Sequence, residues 1–162
     1  MADYLVGEEL QDYLIAQGVG QLPAAAPALD VPVIVLHPLD GAARPRQDGD
    51  TFVENTAVTI IEELIAPPAA ADAWLETAIV DVHVRSTSNR TAKLVQRQIR
   101  DLIAPRGDYM GRKHWTMSDL LVERSWVWKP DQRLGEEDRL YGRVQSFMFE
   151  ARRKSLAGLP IP

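Results

Sequence analysis

The chain of 162 residues contains no cysteine. That absence removes disulfides, thiolate-bound metals and thiol nucleophiles together, and it fits a reducing compartment. Histidine is scarce too: His37, His83 and His114 are the three present, and no two of them stand at the helical spacing of metal ligands. There is no HExxH, P-loop or GxSxG motif. Gly18 and Gly20 follow a helical pattern and do not continue to GxGxxG, so no dinucleotide fingerprint is present. Positive charge is in deficit, with 18 basic against 23 acidic residues and a net charge of −5, whereas coating nucleic acid needs a local excess of Lys and Arg. No stretch nears the roughly 18 apolar residues of a membrane span. The N-terminus, Met1 to Tyr4, lacks the basic and apolar regions of a signal peptide. The expected setting is the cytosol, away from any membrane.

What is there suits one compact domain. Residues 4–17 carry Val6, Leu10, Tyr13 and Leu14 at helical spacing, with Glu8, Glu9 and Asp12 on other faces and Asp3 as a candidate N-cap. An Ala/Pro-rich connector over 22–30 leads to VPVIVL (31–36), a short strand in which Pro32 argues for a sheet edge or a strand start. A long loop over 37–55 follows, with Pro38, Asp40, Gly41, Pro45 and Asp48 to Asp50 as turn residues and Arg44 and Arg46 as its cations. Residues 56–64 read as a second strand, with a helical turn as the alternative, and 66–71 as a break. The clearest strand is 75–87, where Ala78, Val80, Val82 and Val84 alternate with Asp81, His83 and Arg85, predicting one buried and one wet face. Ser88 and Asn89 cap a helix over 90–103 with the apolar stripe Ala92, Val95, Ile99, Leu102 and Ile103, leaving Lys93, Arg97 and Arg100 off it. Strands over 119–128 and 139–152 flank a charged connection. The expected fold is α+β: a single domain over 1–154 with a four- to five-stranded, largely antiparallel sheet and two helices packed on one face, followed by a C-terminal tail over 155–162.

Chemistry is harder to place. Glu62 and Glu63 are neighbours on a strand and point to opposite faces, while Glu136, Glu137 and Asp138 read as a solvated cluster. No catalytic residue, metal ligand or cofactor site is expected, and an enzyme reading would need a deep pocket that the sequence does not announce. The segment Arg124 to Lys129 places Trp126 and Trp128 on one face of a strand between cations. That pattern serves either as a stacking platform for single-stranded nucleic acid or as part of a sheet edge or subunit interface, where Trp and Arg are enriched. The net negative charge favours the second reading. Asp119, Glu123, Glu136, Glu137 and Asp138 offer opposite charge to Arg97 and Arg100 of a neighbouring subunit.

The segments AIVDVHVRSTS (78–88), RTAKLVQRQIRDLI (90–103), VERSWVWKPD (122–131) and RLYGRVQSFMFEAR (139–152), in that order after an N-terminal helix, resemble the tail terminator proteins of long-tailed, siphovirus-type bacteriophages. The resemblance implies a homohexameric ring that caps the tail tube, stops its polymerisation and joins it to the head–tail connector. Its partners would be further copies of itself, the major tail tube protein and a head-closure or neck protein, and DNA would pass through the lumen without sequence-specific binding. It implies host cytoplasm during assembly and the head–tail interface of the virion afterwards. Neck, head-closure and minor capsid proteins share related folds and are the nearest alternatives. The family supplies no catalytic residue. A ring needs a head-to-tail interface that closes by rotation, for which Arg97 and Arg100 against the acidic loop is one pairing.

Overall fold

The computed structural model describes residues 5–37, 44–65, 76–105 and 111–153. Two helices, α1 (Leu5–Ala16) and α2 (Asn89–Ile103), accompany β1 (Val33–His37), β4 (Thr56–Ile65), β5 (Glu76–Ser86), β6 (Arg112–Met117), β7 (Leu120–Glu137) and β8 (Leu140–Arg153), with a two-stranded ribbon of β2 (Gln47–Asp48) and β3 (Thr51–Phe52). The six long strands form one sheet in the order β1-β4-β5-β8-β7-β6. β1 runs parallel to β4, and the other neighbours are antiparallel. The α+β class and the placement of both helices on one face are as expected. The sheet is wider than expected by β6, whose Trp115 and Met117 are buried between otherwise mostly exposed side chains.

Alternation builds the core. Ala78, Val80, Val82 and Val84 of β5 are fully buried on the helix-bearing face, where Val58 and Ile60 of β4 and Phe147 and Phe149 of β8 join them. Val6, Leu10 and Leu14 of α1 close this layer from above at i, i+4 and i+8, and Ala92, Val95, Ile99 and Ile103 of α2 do the same over β5 and β8. The reverse face is less wet than the pattern in β5 suggests. Val33, Val35, Ala57 and Thr59 are buried there as well, so full exposure is a poor description of that face at β1 and β4.

The helix ends are fixed in two different ways. Ser88 is the N-cap of α2, accepting from the Thr91 N–H at 3.3 Å, as its position before the stripe predicts. At α1 the carboxylate of Glu62, on β4, accepts from the N–H of Gly7 at 2.8 Å and of Val6 at 3.3 Å. A buried acid from a distant strand thus serves the free N–H groups and the positive end of the helix dipole. Glu62 is no half of an acid pair with Glu63, which is exposed.

Around β6 a chain of polar side chains enters the core. The Trp115 indole donates to Ser125 Oγ at 3.0 Å, and Ser125 in turn donates to the Ile103 carbonyl at the end of α2. Arg112 lies 4.3 Å over the Trp115 ring and donates to Tyr13 Oη and to the Leu102 carbonyl, both at 2.9 Å. Gly111 sits at φ +63°, where an added Cβ would fall 1.8 Å from the Ser125 carbonyl oxygen, so only glycine fits this entry into β6.

β7 is the longest strand and runs on through Lys129, Pro130 and Asp131, where the sequence suggests an end. Register shifts between Val122 and Arg124, Val127 and Lys129, Lys129 and Gln132, and Arg133 and Gly135 re-phase it repeatedly. The charged connection is therefore strand, and the turn to β8 is the two residues Asp138 and Arg139, both at positive φ. Part of the long loop is structured too: β2 and β3 form its ribbon. Asp3, the turn residues Pro38, Asp40 and Gly41, the break at 66–71 and the tail over 155–162 lie outside the described residues.

Candidate functional site

The interface candidates Arg44, Arg46, Arg97, Arg100, Arg124, Trp126, Trp128, Glu136, Glu137 and Asp138 fall into separate places, and the structure brings only some of them together. Arg44 reaches the β7–β8 turn, with Glu137 at 2.6 Å and Asp138 at 3.0 Å, and these partners raise its pKa further. Arg46 donates to the Ala24 carbonyl at 2.7 Å and lies 3.6 Å from the buried Glu54 carboxylate, which also accepts from the Arg46 N–H. Both loop cations therefore pin the β2–β3 ribbon to its own chain, and Arg139 over the Phe52 ring at 5.4 Å adds a third tie.

Trp126 and Trp128 lie on either side of Val127, next to a break in the register of β7. Trp126 stands opposite Met148, and Trp128 is the extra residue at the bulge between Val127 and Lys129. The Arg124 guanidinium lies 4.2 Å over the Trp126 ring, while Trp128 is half exposed. A ring already covered by its own arginine offers less of a stacking surface to a base.

The histidines are dispersed. His37 ends β1, exposed, and His114 lies 3.3 Å from Glu123 on β6 and β7. His83 is half-buried on the reverse face, where desolvation lowers its pKa; Asp81 opposes that shift and Arg85 adds to it. Among the described residues no three His, Asp or Glu side chains gather to hold a metal ion. No helix among them is long and apolar enough to cross a membrane. A cleft of about 200 Å³ at the start of α2 is lined by Thr56, Ser86, Ser88 and Thr91 among others. Its hydroxyls serve one another: Thr56 Oγ1 and Ser86 Oγ are 2.9 Å apart, and Ser86 Oγ accepts from the Ser88 N–H.

Many of the charged side chains are held by ion pairs within the chain. Arg100 is held by Asp101 at 2.9 Å, Arg143 by Asp131 at 2.7 Å, Arg152 by Glu123, and Glu137 and Asp138 by Arg44. The pairing of Arg100 with the acidic loop of a neighbour thus competes with bonds both sides already make; Glu136 remains exposed without an ion pair among the described residues. Two helices carry grouped charges with no ion pair among those residues. On α2, Arg90, Lys93 and Arg97 are exposed on the face away from the core, and Leu94 stands half exposed between them. On α1, Glu8 and Asp12 are exposed beside Glu9, whose Oε2 accepts from the Asp119 N–H at 3.3 Å. Burial together with Asp119, Asp12 and Glu8 holds the Glu9 carboxyl above the usual carboxylate range, against the pull of that N–H. The sequence marks Lys93 and Arg97 as off-stripe. Leu94 was visible only as an apolar residue on the wrong side of the helix, and Leu134, also exposed, was hidden by the bulges of β7.

No protein-family model matches the chain, and no curated protein sequence matches it.

Proposed function

We propose that this chain is an assembly subunit of the tail-terminator type, a structural protein whose copies close into a ring of about six on the end of a phage tail tube. The observation that carries this reading is the outer half of β7. Among the described residues, β6 covers its free edge only as far as Ser125. From there to Glu137 the strand is largely exposed, with Trp128 at 50% and Leu134 at 44% exposure. Large apolar side chains on an uncovered edge suit a surface that meets another protein. Pro130 and the repeated bulges discourage simple extension of the ladder by a further strand, so side chains rather than backbone would make the contact. The order of elements, an N-terminal helix and then strands around one capped helix before a long hairpin, is in keeping with the family that the sequence resembles.

On this reading the ring stops growth of the tube, contacts the tube protein on one side and a neck or head-closure protein on the other, and lets DNA pass through its lumen. The test is the position of the chain in virions made by a phage that encodes it. A ring of density at the head-proximal end of the tube is the expected result. A ring within the neck would transfer the reading to a head-closure protein, and absence of the chain from purified particles would overturn both.

A further inference from the structure

The leftover charges on the two helices are opposite in sign, and neither group has an ion pair among the described residues. On α2, Arg90, Lys93 and Arg97 recur at i, i+3 and i+7, which puts them on one face around the half-exposed Leu94. On α1, Glu8 and Asp12 share a face at i, i+4, and the β6–β7 turn brings Asp119 to the same place through its N–H bond to Glu9. Three cations in a chain of net charge −5 are not a general property of its surface. They are a local one, set on the rigid outer side of a helix whose other side is anchored by Ala92, Val95, Ile99 and Ile103.

We infer that the outer face of α2 is a docking surface for a second copy of this chain, which presents the acidic face of its α1 and the adjoining Asp119. The inference rests on the ring reading above and names the surfaces that would join neighbouring subunits. Cations facing carboxylates around a buried Leu94 would be worth more than the same charges in water, since the contact excludes solvent from the pair. The two faces differ, so a contact between them is head-to-tail, and an open chain of copies keeps one unused face at each end, basic at one and acidic at the other, until the ring closes. Other occupants of the α2 face, nucleic acid above all, are outcomes of the test.

The experiment uses the full chain with two double reversals, Lys93→Glu with Arg97→Glu, and Glu8→Lys with Asp12→Lys. All four side chains are exposed and outside the core, so circular dichroism and thermal melts should show folded proteins. Sedimentation velocity should then show each double reversal raising the concentration for half-assembly at least tenfold. All four changes together should restore assembly, because the charges are exchanged rather than removed. An equimolar mixture of the two double variants should assemble as well, with the two kinds of chain alternating around a ring of even number, since every contact between unlike variants joins an acidic face to a basic one. If the unaltered chain assembles and the reversals leave that assembly unchanged, the ring reading stands and this interface is overturned. If the fourfold variant stays dissociated while folded, the pairing of these two faces is overturned. Binding of a DNA duplex that is lost in the α2 variant, with assembly untouched, assigns the face to nucleic acid and overturns the inference as well. An unaltered chain that never assembles removes the ring reading itself.

Discussion

Glu62 shows how a single side chain can tie a helix to a sheet. Its carboxylate is buried and takes the N–H groups of Val6 and Gly7, which would otherwise end α1 without partners. Replacing it with Ala should cost about 1–3 kcal/mol in chemical denaturation, and Glu62→Gln, which keeps an acceptor, should cost less. An unchanged midpoint in the Ala variant would show that α1 does not depend on this cap. His83 gives a second residue-level test. It faces Asp81 and Arg85 along β5, and Thr59 and Val144 stand opposite it on β4 and β8. Its folded pKa lies below the unfolded value, so the unfolded chain binds the proton more readily. The stability this contributes is present above the ordinary histidine pKa, around 6.5, and is lost as pH falls through the lower folded value. His83→Gln should therefore flatten the pH dependence of the melting temperature below pH 6.5, measured against the unaltered chain. A variant with the same slope would place the acid sensitivity elsewhere.

At the level of elements, what was legible in the sequence was local or periodic. The stripe of α2, its Ser88 cap and the alternation Ala78 to Val84 each lie within one segment, and each is found where the pattern puts it. Pro32 announced an edge or a strand start, and β1 is an edge strand that starts at Val33. What was missed depends on residues far apart or out of phase. The cap of α1 comes from a strand more than fifty positions away. β6 has only Trp115 and Met117 buried, too few for a visible alternation. β7 continues past Pro130 with bulges that shift its phase, one of them at Trp128. The turn after it is unusual in chemistry: Asp138 at φ 52° and Arg139 at φ 64° occupy positions that favour Asn and Gly. The pair Asp138→Asn with Arg139→Gly should stabilise the fold by about 0.5–1 kcal/mol if backbone strain dominates. A loss of stability would show that the ties to Arg44 and Phe52 outweigh it.

For the whole molecule, the sheet and its two helices share one core, and many of the charges are paired within the chain. Surfaces without such pairs among the described residues include the basic face of α2 and the acidic face of α1, and the open half of β7 adds the exposed Trp128 and Leu134. The proposal that copies of this chain assemble rests on those surfaces. In the sequence they were only partly visible, because which charges are free depends on which others are paired, and pairs such as Arg44 with Glu137 or Arg152 with Glu123 join residues far apart along the chain. Electrostatic contact between the helix faces also predicts assembly that weakens as salt rises. The most direct measurement is the mass of the purified full chain by sedimentation equilibrium over a wide range of concentration at low salt. The account predicts a closed species of about six chains that does not grow further at high concentration. A chain that remains monomeric across that range would contradict it.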